Sequence, residues 1–124
     1  VTELGWDLAD KEGRYIQVDF GNLSFVSLYL PSGTSGEDRQ TFKYAFLDRY
    51  EKILKKHRED GRHYILCGDW NIAHKKIDIK NWQSNQKTSG FLPEERAWMD
   101  KLIDEIGYVD AFRVLNQEPG QYTW

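Results

Sequence analysis

Only one cysteine, Cys67, occurs among the 124 residues, so no intrachain disulfide can staple the fold, and the chain suits a reducing compartment. No apolar run approaches the roughly 18 residues of a membrane-spanning helix. The segment Val1-Thr2-Glu3-Leu4-Gly5-Trp6-Asp7 has no basic start leading into an apolar stretch, so it is not a secretory signal. Internal repeats and low-complexity tracts are missing, as are a Walker loop, a G-x-G-x-x-G run and a G-x-S-x-G elbow. Positive charge is not in excess either: the net charge of −3 excludes a protein that coats nucleic acid through bulk basicity. What remains is ordinary for a small globular domain, 40% hydrophobic and 30% charged, with aromatics high at 15%.

The charge is uneven. Between Ile72 and Leu92 four lysines (Lys75, Lys76, Lys80, Lys87) face a single acid, Asp78, whereas from Pro93 to Asp110 six acids face Arg96 and Lys101. A loop followed by a solvated helix explains this as readily as a binding surface does.

Residues Arg14 to Phe20 alternate Tyr15, Gln17 and Asp19 with Ile16, Val18 and Phe20, which predicts a half-buried strand. Gly21-Asn22 signals a turn, and the more apolar Leu23 to Leu30 predicts a second strand paired with the first as an antiparallel hairpin. After loop residues 31–36, a helix is expected from about Asp38 to Arg58. Its apolar face is Phe42, Phe46, Leu47, Tyr50, Ile53 and Leu54, and Gly61 stops it. His63 to Cys67 predicts a buried strand. A long irregular segment follows from Ile72 to Leu92; loops of that length within a compact domain are commonly functional. Pro93 then opens a second helix with the stripe Trp98, Met99, Leu102, Ile103 and Ile106, ended by Gly107. The order β-β-α-β-loop-α predicts a mixed sheet with helices packed on a face.

Gly68-Asp69-Trp70-Asn71 is the sharpest chemical feature. In extended geometry Asp69 and Asn71 point to one side. A carboxylate can take a proton from water or help hold a divalent metal, and a carboxamide can donate to a phosphate oxygen without adding negative charge. That pairing suits phosphodiester hydrolysis, although the same four residues also make an ordinary strand-end turn. Tyr29, before Pro31, offers a phenol that could donate to a phosphate or steady a leaving oxygen, or simply a core ring at the sheet rim. His63 and His74 flank Asp69 without the spacing of a zinc site, and His57 is read as a surface residue. Cys67 is read as a small core residue with no activating partner.

Several runs taken together resemble the exonuclease III (AP endonuclease) family of the endonuclease/exonuclease/phosphatase superfamily. They are Gly13-Arg14-Tyr15-Ile16, Leu28-Tyr29-Leu30-Pro31-Ser32-Gly33, Gly68-Asp69-Trp70-Asn71-Ile72-Ala73-His74 and Asp78-Ile79-Lys80-Asn81. Later come Gly90-Phe91-Leu92-Pro93-Glu94-Glu95-Arg96, Val109-Asp110-Ala111-Phe112-Arg113 and Tyr122-Thr123-Trp124. The run G-F-x-P-x-E-R is far more family-specific than G-D-x-N. The resemblance implies a DNase I-like, four-layer α/β sandwich of mixed sheets flanked by helices. Residues 1–124 would be the incomplete central part of one such domain. The opening strand, the L-Q-E segment with the metal-binding glutamate, and the S-D-H segment with the catalytic histidine would lie outside it. The piece alone is expected to be inactive.

The resemblance also implies roles. Asp69 would position or deprotonate the attacking water, Asn71 would bind the scissile phosphate and orient that aspartate, and Tyr29 would lie near the phosphate and leaving group. Arg14, Asn81, Asn85, Lys87 and Thr88 would contact the DNA strand, Thr88 standing where another member has Asn. Trp124 would help line the pocket for an extruded abasic sugar. Mg²⁺ (or Mn²⁺) is the implied cofactor, with Asp69 and Asn71 near the metal and the glutamate outside the chain as principal ligand. The implied partner is double-stranded DNA, at abasic sites and 3′ ends. A monomeric protein of the bacterial cytoplasm is expected, with no membrane association.

Two rivals share the superfamily. Non-catalytic regulators of the catabolite repression control type have similar phrases to Ile79-Lys80-Asn81-Trp82 and Glu95-Arg96-Ala97-Trp98, but a degraded G-D-x-N run; here Asp69 and Asn71 are both present. Phosphoinositide or sphingomyelin phosphodiesterases lack the counterpart of Gly90 to Arg96.

Overall fold

The computed structural model describes residues 1–123. It divides into two compact units, Val1–Asn71 and a second beginning at Ile72.

The first unit is built on a three-stranded sheet in the order β1-β2-β3. A single turn of helix, α1 (Asp7–Asp10), precedes β1 (Tyr15–Phe20) and β2 (Leu23–Tyr29). These two strands pair antiparallel from Tyr15↔Leu28 to Phe20↔Leu23, the hairpin that the alternating residues and the Gly21-Asn22 turn predict. Helix α2 (Glu37–Glu59) then carries the chain to β3 (His63–Asp69), which pairs parallel with β2. A parallel partner needs such a crossover, and α2 supplies it. Acids Glu37 and Asp38 lie at its start and Lys56, His57 and Arg58 at its end, complementing the helix dipole.

One face of the sheet meets α2. Ser24, Val26 and Leu28 are buried on β2, as is Tyr15 on β1, and Phe46, Leu47, Tyr50 and Leu54 are buried on α2. Tyr50 meets Tyr15 edge-on, with ring centroids 6.2 Å apart. Each fully buried Leu or Phe of this layer contributes roughly 1.5–3 kcal/mol. The opposite face is apolar but exposed: Ile16, Val18, Phe20, Phe25 and Ile65 all lie on it, and Val18, Phe25 and Ile65 form one row across the three strands.

The structure corrects three expectations. The strand at 63–67 is not fully buried: Ile65 is 45% exposed, on the face of the sheet that the described residues leave uncovered. Cys67 shares the uncovered face and is exposed rather than a core residue. His57 is likewise not a plain surface residue. It is half-buried, its ring stacked on Tyr64 at 4.1 Å.

The second unit is held together by side chains more than by ladders. Two short 3-10 turns, Lys76–Asp78 and Trp82–Asn85, punctuate the segment expected to be irregular. Helix α3 (Pro93–Asp100) begins at Pro93 as its sequence predicts, then widens into a π-helix over Lys101–Ile106. The widening shows in the bond from Gly107 N to Leu102 O (3.1 Å), and Gly107 closes the turn at φ 97°. Helix α4 (Ala111–Leu115), not expected from the sequence, is capped by Asp110, whose Oδ1 accepts from Arg113 N at 3.1 Å.

Candidate active site at the end of the sheet

The ends of β2 and β3 bring Tyr29 and Asp69 side by side. They are direct partners in the parallel register, so both side chains leave the same face of the sheet. Both are exposed. Gly68 makes this approach possible. A Cβ there would sit 1.9 Å from the Leu28 carbonyl oxygen, and its φ of +125° is disfavoured for any other residue. The glycine of G-D-x-N is therefore a packing requirement at the strand end.

Past Asp69 the chain turns sharply. Asn71 adopts a left-handed φ of 49°, which Asn tolerates better than most residues. Its amide N donates to Asp69 Oδ1 at 2.9 Å, and its Nδ2 donates to the Leu30 carbonyl at 2.7 Å. The carboxamide has two N–H donors, so one remains for a further acceptor. The Asn71 carbonyl accepts from Lys43 Nζ at 2.6 Å. Leu30 N also donates to the Asp69 carbonyl at 2.8 Å, which ties the two strand ends together.

Arg14 is not presented to solvent as a DNA contact. It is only 9% exposed, and its Nε and Nη2 donate to Glu12 Oε1 at 3.1 and 2.9 Å. Its Nη1 donates to the Tyr29 carbonyl at 3.0 Å, and the guanidinium lies 5.0 Å from the centre of the Tyr29 ring. A guanidinium committed to a carboxylate, a carbonyl and a ring face holds Tyr29 in place. Glu12 also receives Arg39, whose hydrogen bond, joined by Arg14, keeps the Glu12 carboxyl below the usual range.

The remaining candidates lie in the second unit. Asn81 is exposed and left-handed at φ 56°. Asn85 turns inward, its Nδ2 donating to the carbonyls of Lys80 (3.3 Å) and Asn81 (3.0 Å), so it shapes the loop. Lys87 and Thr88 are exposed. Lys76 Nζ sits 4.0 Å over the Trp82 ring. Trp124 lies outside the described residues. The structure thus unites Tyr29, Asp69 and Asn71 at one strand end and gathers Asn81, Asn85, Lys87 and Thr88 on one loop.

The run from Gly90 to Arg96 is explained by local structure. Glu95 is fully buried, and its Oε1 accepts from Gly90 N (2.7 Å) and Leu92 N (3.0 Å). Phe91 is buried under Arg96, whose Nε donates to the His74 carbonyl at 3.1 Å. Asp78 and Arg113 do similar work, paired at 2.6 Å while Arg113 also donates to the carbonyls of Ile77 and Gln121. Sequence reasoning missed Lys43 and Glu95 as site-shaping residues. The available signal was a charged residue in step with an apolar helical stripe: Lys43 with Phe46, Leu47, Tyr50 and Leu54, and Glu95 with Trp98 and Leu102.

No protein-family model matches the chain. Individual proteins do. The exodeoxyribonuclease of Bacillus subtilis is 33% identical over 122 residues, spanning 98% of this chain and 48% of that protein. The DNA repair nuclease APEX1 of Danio rerio is 36% identical over 112 residues, spanning 90% of this chain and 36% of that protein. Over nearly its whole length the chain is similar to nucleases of the exonuclease III/AP endonuclease family. It spans less than half the length of these curated relatives. Among solved structures, a 3′-5′ exonuclease from Neisseria meningitidis superposes with a TM-score of 0.81 at 21% identity, over 90% of this chain and 44% of that one. An AP endonuclease from Archaeoglobus fulgidus gives 0.75 at 23%, over 86% and 41%. These two share the fold of this chain, a mixed sheet with flanking helices.

Proposed function

We propose that the protein containing this chain is a DNA-repair phosphodiesterase of the exodeoxyribonuclease III/AP endonuclease type, acting on double-stranded DNA at abasic sites and 3′ ends. The observation that carries the reading is the convergence of Tyr29, Asp69 and Asn71 at the open end of two adjacent parallel strands. Asp69 is the base or orienting group for the attacking water; its Oδ1 is held by the Asn71 amide, which leaves Oδ2 for the water. Asn71 gives its second N–H to the scissile phosphate. Tyr29, steadied by Arg14, donates its phenol toward the leaving oxygen. The relatives named above, a DNA repair nuclease and an exodeoxyribonuclease, support the same chemistry.

The exposed Asp69 carboxylate and the Asn71 amide suit a hard divalent cation such as Mg²⁺ or Mn²⁺. Among the described residues no group of three His, Cys, Asp or Glu side chains could hold a metal; Asp69 and Asn71 would supply part of a coordination sphere. The expected L-Q-E glutamate would complete it. Such an ion would neutralise charge building on the phosphate. Lys75, Lys76, Lys80 and Lys87 provide phosphate contacts that fix register without reading sequence. No helix among the described residues is long and apolar enough to cross a membrane. We infer residues 1–124 to be one part of a single domain, in a monomer of the bacterial cytoplasm.

The deciding experiment is incubation of the full-length protein with a duplex carrying one abasic site, with Mg²⁺ and with chelator. Incision 5′ to the lesion, abolished by chelator, is expected. Absence of incision would overturn the reading and, if accompanied by binding to an RNA-chaperone complex, would favour the regulatory paralogue.

A further inference from the structure

We propose that Lys43, which no reading above assigns to the chemistry, is a positioning residue that sets the geometry of Asn71; this rests on the nuclease reading of that site. Lys43 is fully buried in the layer between α2 and the sheet, in step with Phe46, Leu47, Tyr50 and Leu54. An ammonium removed from water is costly, and a leucine or methionine would fill the same helical position without that cost. The position therefore serves something other than core packing. Its Nζ reaches across to the Asn71 carbonyl at 2.6 Å, a short, charge-assisted bond to the residue with the strained left-handed backbone.

The amide N, the side-chain Nδ2 and the carbonyl of Asn71 are each bonded, to Asp69, Leu30 and Lys43 respectively. The first two do not hold the carbonyl of Asn71, and the Lys43 bond does. Releasing it lets Asn71 relax toward an ordinary extended or helical backbone. The carboxamide would then swing away from the phosphate, and the amide would withdraw from Asp69. Lys43 contacts no substrate in this arrangement. Its loss should slow the chemical step while leaving DNA affinity intact, since displacements of about an ångström can cost on the order of 10²-fold in rate.

The test uses the full-length protein, an abasic duplex and Mg²⁺, with Lys43→Met, Lys43→Arg, Asn71→Ala and Lys43→Met/Asn71→Ala. Lys43→Met is expected to lower kcat by roughly 10- to 100-fold with KM changed less than about twofold, and Lys43→Arg to recover part of the loss. In the Asn71→Ala background the same Lys43 change should cost clearly less, because the carboxamide part of its route to the chemistry is gone while the main-chain bond to Asp69 remains. A folded Lys43→Met protein with near-normal kcat, or one with equal losses in both backgrounds, overturns the proposal. If Lys43→Met does not fold, Lys43→Arg carries the same cycle with the same two outcomes. A wild-type protein that cleaves nothing sinks the nuclease reading alone. The clamp is then read from the backbone and side-chain amide resonances of Asn71, which shift on Lys43→Arg if Lys43 sets that turn and stay put if it does not.

Discussion

Residues 1–71 and the residues from Ile72 onward satisfy their backbone by different means. In the first unit a hairpin, a parallel pair and one long helix bond most N–H and C=O groups to each other, and an apolar layer of Tyr15, Val26, Leu28, Phe46, Leu47, Tyr50 and Leu54 holds the pieces together. In the second, long stretches have no ladder. Buried or half-buried charges bond loop backbone directly: Glu95 takes two N–H groups, Arg96 a carbonyl, and Arg113 several carbonyls plus Asp78. A repeating pattern therefore stabilises the first region, and a few individual residues stabilise the second. Damage should accordingly be spread thinly over most positions in one and concentrated in the other.

Substitutions at the strand end test the first half of that comparison. Asp69→Asn should lower turnover of the full-length protein by about 10²- to 10⁴-fold, the usual range for a lost acid-base group. Its fold should persist, because an amide oxygen can still accept from Asn71 N; circular dichroism alongside the incision assay checks both. Gly68→Ala combines a positive φ with a steric clash in the regular region. The intruding Cβ and the forced positive φ should cost about 3 kcal/mol or more, read by denaturant unfolding, and a near-neutral result would mean that the strands part easily there.

In the second region Glu95→Ala should cost about 2–4 kcal/mol by stranding the Gly90 and Leu92 amides, while Glu95→Gln, which keeps an acceptor, should cost less. Equal losses for the two would show that size rather than hydrogen bonding matters. Arg113→Lys, which cannot reach the same carbonyls in parallel, should cost about 1–2 kcal/mol and speed amide exchange in residues 116–121.

The smallest effect concerns His57. Burial holds its pKa below the ordinary 6.5, against a weaker opposing pull from Asp60. The unfolded chain therefore binds the proton first. The stability associated with the neutral ring is intact above the ordinary value and is lost as pH falls through the lower folded value. Glu12 and Asp60 also have lowered pKa values, but as carboxyls they act at more acidic pH. His57→Phe, keeping the stack on Tyr64, should flatten the fall in Tm between pH 7.5 and 5.5 by roughly a degree or two, leaving the lower limb unchanged.

The sequence by itself determined the order of elements. Alternation marked the hairpin, helical spacing marked α2, Pro93 opened α3 and Gly107 closed the turn after it, because backbone geometry writes its period and its breakers into the chain. It also supplied the G-D-x-N run and Tyr29 as candidates. Tertiary structure alone decided which face of the sheet is covered, and so why Ile65 and Cys67 are exposed: a short apolar run reads the same whether one face or two are covered. It alone decided that Arg14 and Asn85 turn inward, and that Lys43 and Glu95, charged residues that patterning assigns to solvent, lie buried against loop backbone. The physical reason is that a hydrogen bond to a main-chain group depends on where a distant segment passes, and any residue's peptide can serve as the partner. Such contacts leave no trace in the partner's side chain for a sequence to record.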